Sequence, residues 1–323
     1  MDYLLLVVGL GLLLLGAELI VDSSVAIAKR ARVSNFLIGL TIVGMGTSAP
    51  ELFVSFSSAL EGHGDVAIGN IIGSNICNIF LILGVSATIL PFAIDKAIIK
   101  RDIPFGIFAA LLLTFLANKS LLNENWSNSL SRFDGILFLI LFVGYMFVTV
   151  YKNRKPADAA DNIEEEAVSR FSGKPILLLI FIAVASLTGL IGGGKLFLGS
   201  AENLARAWGV DEAVIAITVV ALGTSLPELI TSIVAALKKN SELALGNVIG
   251  SNIFNILLIL GISSTAAPIS IQGVLLEDFV VMIFAALCTF LVAHTFGKNF
   301  FDRIEGIFFL LCYVAYTAYL ILR

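Results

Sequence analysis

Two stretches of the chain repeat one another. Gly46-Thr47-Ser48-Ala49-Pro50-Glu51 returns as Gly223-Thr224-Ser225-Leu226-Pro227-Glu228. Gly69-Asn70-Ile71-Ile72-Gly73-Ser74-Asn75-Ile76-Cys77-Asn78 returns as Gly246-Asn247-Val248-Ile249-Gly250-Ser251-Asn252-Ile253-Phe254-Asn255. Both pairs stand 177 positions apart, and residues 41–91 lie on 218–268 without a gap, identical at 28 of 51 positions. A duplication of this length means that one structural unit is used twice. Each copy sets a carboxylate and a proline in the middle of an apolar run. The fold must therefore accommodate a charge in apolar surroundings twice, in equivalent settings.

The surroundings are those of a membrane protein. Of 323 residues 58% are hydrophobic and 14% charged, where a soluble domain carries about 25% charge. Ten apolar segments are expected, at roughly 3–28, 36–60, 66–90, 103–118, 133–151, 175–205, 213–237, 243–268, 279–296 and 304–322. Most are long enough to cross ~30 Å of hydrocarbon as helices, and none alternates as a barrel strand does. The first runs on from Met1-Asp2-Tyr3 with no basic stretch or cleavage site, so it reads as a span and not a signal peptide. The longest polar interruption, 152–174, mixes Lys152, Arg154 and Lys155 with Asp158, Asp161, Glu164, Glu165 and Glu166, as a solvated linker does. It lacks the spacing and glycine of a calcium-binding loop. The three cysteines, Cys77, Cys288 and Cys312, sit in apolar runs and form no disulfide framework. No basic patch with interleaved aromatics is present, so nucleic acid is not an expected partner.

The expected fold is an all-α polytopic membrane protein. Residues 1–151 form a first five-helix repeat, 152–174 a cytoplasmic linker and 175–323 a second repeat. Five is odd, so two like-folded halves must insert upside down relative to one another, as in inverted-repeat transporters. Charge supports the count. The odd-numbered loops carry fifteen Lys and Arg residues, and the termini with the even-numbered loops carry four. The excess marks the odd loops as cytoplasmic and both termini as external. One further basic residue, Lys195, falls within the sixth span, where the 177-residue offset matches it to Glu18. Either both side chains snorkel to an interface or they pair across spans one and six.

Glu51 and Glu228 carry the chemistry. An ionised carboxylate in hydrocarbon costs ~3 kcal/mol or more, and spans two, three, seven and eight contain no Lys, Arg or His away from their ends. Two neighbouring carboxylates repel one another unless a cation lies between them. Pro50 and Pro227 interrupt their helices, withdrawing a partner from the carbonyls of Gly46 and Gly223; such breaks survive at membrane depth where they line a protected cavity. The freed carbonyls and the hydroxyls of Thr47, Ser48, Thr224 and Ser225 are hard donors suited to Na⁺ and Ca²⁺. Ser74 with Asn78, and Ser251 with Asn255, stand four apart on one helical face and are expected to face the cation. Asn70, Asn75, Asn247 and Asn252 point elsewhere on a regular helix, serving either the site or helix packing. His63 is expected in a solvated loop and His294 near an interface. No nucleophile–base pair accompanies the serines, so enzymatic chemistry is not expected.

Gly-Thr-Ser-X-Pro-Glu followed by Gly-Asn-X-Ile-Gly-Ser-Asn-Ile-X-Asn, present twice, resembles the α-repeats of the cation/calcium antiporter superfamily, most closely the compact prokaryotic type of its sodium/calcium exchanger branch. The resemblance covers the whole chain. It implies exchange of Na⁺ for Ca²⁺ across the cell membrane by alternating access, without a cofactor, by a monomer in the bilayer. It further implies that Glu51 and Glu228 bind Ca²⁺ with the carbonyls of Thr47 and Thr224. Ser48, Ser74, Ser225 and Ser251 would serve Na⁺ sites with carbonyls near Gly44 and Ala221, and Asn78 and Asn255 would line the site. Spans one and six would slide across the core. Many exchangers of this kind carry Asp where this chain has Asn78 or Asn255, so here two carboxylates stand in place of three. A Ca²⁺/H⁺ antiporter is the nearest alternative, and a cation channel a more distant one.

Overall fold

The computed structural model describes residues 2–121, 123, 125–152, 170–171, 173–209, 223–295 and 299–322. It is helical almost throughout. The helices are α1 (Asp2–Ala31), α2 (Asn35–Thr47), α3 (Ala49–Leu60), α4 (Gly64–Ile89), α5 (Ile103–Ala117) and α6 (Arg132–Lys152) in the first half. The second half holds α7 (Ile176–Ala207), α8 (Leu226–Leu237), α9 (Ser241–Ala266), α10 (Leu276–Thr295) and α11 (Arg303–Leu322). Among the described residues seven helices are long and apolar enough to cross a membrane, and eight if α2 and α3, bent by 48°, count as one span. α5 has 15 residues and continues a π-helical turn at Ile98–Asp102. α8 has 12 residues and lies within the expected span 213–237; residues 213–222 of that span, and most of the linker, lie outside the described residues.

α4 and α9 form the centre. Of their most apolar stretches 72% and 89% are buried, against 33% for α1, 28% for α7 and 11% for α11. A helix apolar all round belongs inside a bundle or against lipid, and these helices divide between the two. α2 reaches the centre through direct backbone contact: a Cβ at Gly246 of α9 would stand 2.4 Å from the carbonyl oxygen of Phe36, and one at Gly250 would stand 2.7 Å from the Cα of Leu40. α1 and α7 cross as an outer pair in the same manner, a Cβ at Gly9 meeting the backbone nitrogen of Phe197 at 2.6 Å.

The halves interlock at their ends. Four two-residue strands form two antiparallel pairs, β1 (Phe92–Ala93) with β4 (Phe300–Phe301) and β2 (Ser129–Leu130) with β3 (Ile269–Ser270). Phe92 registers with Phe301, and Leu130 with Ile269. Each pair thus joins the segment after the central helix of one half to the segment before the last helix of the other. The last helices follow: α6 packs on the end of α9, and α11 on the end of α4. The main-chain approaches Gly261–Gly135 and Gly84–Gly306 sit in these two seams.

Candidate cation site

The breaks in the repeated motifs locate the site. α2 ends at Thr47, Ser48 takes φ −80° and ψ 8°, and α3 restarts at Ala49 with Pro50 in its first turn. Ser225 repeats this with φ −87° and ψ 3°, and Pro227 lies in the first turn of α8. Proline is tolerated there because first-turn N–H groups have no intrahelical partner. Glu51 and Glu228 consequently fall in the first turns of α3 and α8, where the partial positive charge of a helix N-terminus favours an anion. Both are buried, at 1% exposure.

The two motifs hold each other's carboxylates. Ser48 Oγ donates to Glu228 Oε1 at 3.0 Å, and Ser225 Oγ to Glu51 Oε1 at 3.4 Å. Ser74 Oγ approaches the same Glu51 oxygen at 3.5 Å, and Ser251 Oγ reaches across to the carbonyl of Gly44 at 3.4 Å. Thr47 Oγ1 bonds the Val43 carbonyl at 3.0 Å and Asn247 Oδ1 at 3.1 Å, while Thr224 Oγ1 stands 3.5 Å from Asn70 Oδ1. The second copy therefore repeats the first with its partners exchanged. Glu51, Glu228, Thr47, Thr224, Ser48, Ser225, Ser74, Ser251, Gly44, Asn78 and Asn255 come together; Ala221 lies outside the described residues.

The asparagines left open by helical spacing are structural members of this site. Asn70 Nδ2 bonds the Glu51 carbonyl at 3.3 Å and Ser55 Oγ at 3.0 Å, and Asn247 Nδ2 bonds the Glu228 carbonyl at 3.3 Å and Ser232 Oγ at 2.9 Å. Asn75 and Asn252 each donate to the other's main-chain carbonyl at 3.4 Å, and their side-chain oxygens accept from Asn255 at 3.1 Å and Asn78 at 2.9 Å. Asn78 and Asn255 sit in π-helical turns, Cys77–Leu83 and Phe254–Ile259, which shift the face a residue presents relative to a regular helix. The recurrence of all six Asn at the 177-residue offset is the signal that marks them.

Four oxygens remain. Glu51 Oε2, Glu228 Oε2, Asn78 Oδ1 and Asn255 Oδ1 are buried without a hydrogen-bond partner. Such groups cost free energy unless something satisfies them, and all four can only accept. Among the described residues no ion pair involves either glutamate. Nor does any group of three or more His, Cys, Asp or Glu side chains converge among them, so the donor set is two carboxylates with amide, hydroxyl and carbonyl oxygens. Hard cations take such oxygens.

Glu18 does not turn to Lys195. Arg170 bonds Glu18, and Lys238 Nζ lies 3.9 Å from it. Lys195 Nζ stands 6.0 Å from the ring centre of Phe53, on a groove between α7 and α3.

Several known proteins match nearly the whole chain. Residues 1–151 and 178–322 match the family described as sodium/calcium exchanger protein. The chain is 38% identical to the putative antiporter CaxA of Alkalimonas amylolytica, over 96% of this chain and 95% of that one. It is 32% identical to the sodium/calcium exchanger MaX1 of Methanosarcina acetivorans, over 99% and 98%. The solved structure of the sodium-calcium exchanger NCX_Mj soaked with 10 mM Na⁺ and zero Ca²⁺ superposes with a TM-score of 0.81 at 32% identity, covering 98% of each chain. The chain is a multi-pass membrane transporter, not an enzyme, and it belongs to the sodium/calcium exchanger family.

Proposed function

We propose that this chain exchanges Na⁺ for Ca²⁺ across the cell membrane, both ions competing for the site between Glu51 and Glu228. The observation that carries this reading is the set of four buried, acceptor-only oxygens on Glu51, Glu228, Asn78 and Asn255. Two carboxylates buried without counter-charge are costly, and one Ca²⁺ or two Na⁺ would neutralise them. Ca²⁺ is bound by Glu51 and Glu228 with the carbonyls of Thr47 and Thr224. Na⁺ is bound through Ser48, Ser74, Ser225 and Ser251 with carbonyls at Gly44 and Ala221. An empty, doubly charged site is costly to carry across the bilayer, which couples the two fluxes.

The architecture proposed for this exchange is ten spans in two inverted halves, 1–151 and 175–323, joined by the cytoplasmic segment 152–174, with both termini outside and a monomer as the working unit. α1 and α7 slide together over the centre to expose the site to one side and then the other. Supporting this are their close, glycine-lined crossing and the exchanged hydrogen bonds of the two motifs.

The test is radiocalcium uptake into vesicles holding the purified protein. An imposed Na⁺ gradient is expected to drive uptake, and Glu51→Gln or Glu228→Gln to reduce it at least ~100-fold, as loss of one of two charged ligands should. Near-native exchange by either variant sinks the site. A second reading, Ca²⁺/H⁺ exchange, is favoured by the amides of Asn78 and Asn255 standing where a third carboxylate would; a pH gradient that drives uptake without Na⁺ selects it. A third Na⁺ would leave the loaded site at +1, so dependence of the rate on membrane potential reads the ion ratio.

A further inference from the structure

The repeat relates α1 to α7 and α3 to α8, so the seam between α1 and α8 has a counterpart between α7 and α3. The two seams differ in the structure. α1 packs along α8, and an ionic cluster closes its end. Lys238 Nζ lies 2.5 Å from Asp22 Oδ1 and 3.9 Å from Glu18 Oε1. Arg170 bonds Glu18 and stands 3.5 Å from Asp22. On the other seam a groove of about 380 Å³ separates α7 from α3, lined in part by Phe53, Ile191, Lys195 and Glu202, and it reaches Thr224 and Pro227 at the cation site.

The 177-residue offset, taken forward from Glu18 and backward from Lys238, gives an unexpected pair: Glu18 becomes Lys195, and Lys238 has its equivalent in Glu61. Both charges are inverted and the attraction is kept. Here Lys195 and Glu61 are exposed, and neither makes an ion pair among the described residues. Lys195 rests over Phe53, about 12 Å along α3 from Glu61 at ~1.5 Å per residue. The Lys195 side chain borders the groove that leads to the site. A helix shift within reach of a lysine side chain would bring the two together as the groove closes.

We propose that Glu18–Lys238 and Lys195–Glu61 are alternating ionic latches, the first holding the α1–α8 seam shut while the α7–α3 seam is open, the second doing the reverse. The proposal rests on the alternating-access reading given above. The latches are unequal. Asp22 strengthens the first, and its equivalent on α7 is Gly199; Arg170 has no equivalent, because the offset runs past residue 323. The resting protein therefore favours the state with the groove open beside Lys195 and Glu61. These are positioning residues, and they touch no ion.

The experiment uses the full chain in proteoliposomes, with Cys77, Cys288 and Cys312 replaced by alanine. Paired cysteines at 18 and 238, or at 61 and 195, are treated with a short reversible thiol cross-linker. The 18–238 pair is expected to react at rest, and the 61–195 pair about fivefold faster during turnover than at rest, an exposed ion pair being worth up to about that factor. Either link should stop exchange, and reductant should restore it. With all four cysteines, one link should exclude the other. Failure of the 61–195 pair to react in an exchanging protein, or both links within one molecule, overturns the proposal. As a check without cysteines, Glu61→Lys is expected to slow turnover about threefold, within the range of a surface pair, and Lys195→Glu added to it to restore the rate; additive slowing overturns the proposal too. If no gradient drives Ca²⁺ exchange, the antiport reading fails, while mutual exclusion of the links still decides the latches.

Discussion

α4 and α9 are less apolar than α1 and α7, yet they are the buried pair. In water the more apolar helices would be expected inside. Lipid removes that driving force, since hydrocarbon is as good a neighbour for leucine as another helix is. What fixes position is the polar side chain that has no partner in lipid. α4 and α9 carry Ser74, Ser251 and six asparagines, and these bond to one another, to the Glu51 carboxylate and to the main chains of α2, α3 and α8. α1 and α7 meet instead through Gly9, Gly16 and Gly193, where backbones touch and no cross-helix hydrogen bond is needed at the crossing. One region is held by directional bonds that define a single arrangement. The other meets along its crossing through shape, with polar contacts confined to its ends, which permits a pair to travel as a unit.

The largest effect on the cation site that should break this contrast is at Asn247. Asn247→Ala removes a donor to the Glu228 carbonyl and to Ser232, and the acceptor for Thr47. At 0% exposure no water replaces them. We expect a loss of ~1–3 kcal/mol in thermal or denaturant unfolding and a fall of ~10–100-fold in Ca²⁺ affinity, the range for groups that orient ligands. Asn70→Ala, at the partly buried equivalent, should do the same to a smaller extent. Equal, negligible effects at both would mean that the asparagines pack helices and do not shape the site.

Gly193→Val comes next and acts on the other region. A Cβ there would meet the Leu12 Cβ at 2.7 Å and the Gly9 carbonyl at 2.9 Å. Overpacking of this kind costs ~1–3 kcal/mol. Because the clash lies on the outer pair, the exchange rate should fall while equilibrium radiocalcium binding in detergent stays near native. An equal loss of affinity would show that the outer pair shapes the site directly.

How much of this was legible in the sequence differs between the regions for the same reason. Glu51 and Glu228 announced themselves, because a charge in an apolar run has few explanations and a repeated one fewer. The hydroxyls of Ser48 and Ser225 were legible as donors, but not that each serves the other half's glutamate, since the partner is 180 or 174 residues away. Asn75 and Asn252 were left open because an ideal helix points them away from Ser74 and Ser251. They point instead at each other, and the π-helical turns that follow them leave no pattern in composition. The α1–α7 crossing was hidden further, since glycines spaced along an apolar helix state that something approaches closely and not what. The two-residue strands and the exchange of α6 and α11 between halves are tertiary facts with no local signature.

The smallest expected effect, at Leu15, sharpens the comparison most economically, within one helix. Leu13 and Leu15 lie two residues apart on α1, at 0% and 59% exposure. Leu13 belongs to the cluster that α1, α2, α7, α8 and the start of α9 bury together, and Leu13→Ala leaves a cavity there, for ~2–5 kcal/mol. Leu15→Ala removes the same atoms from a face where lipid chains close over the gap, so its cost should stay within ~0.5 kcal/mol, as for surface positions elsewhere. Unfolding of both variants in the same detergent reads the difference directly. A cost at Leu15 approaching that at Leu13 would require something firmer than lipid against the outer face of α1. A second copy of the chain is the simplest such surface, and the monomer proposed here as the working unit would then have to give way.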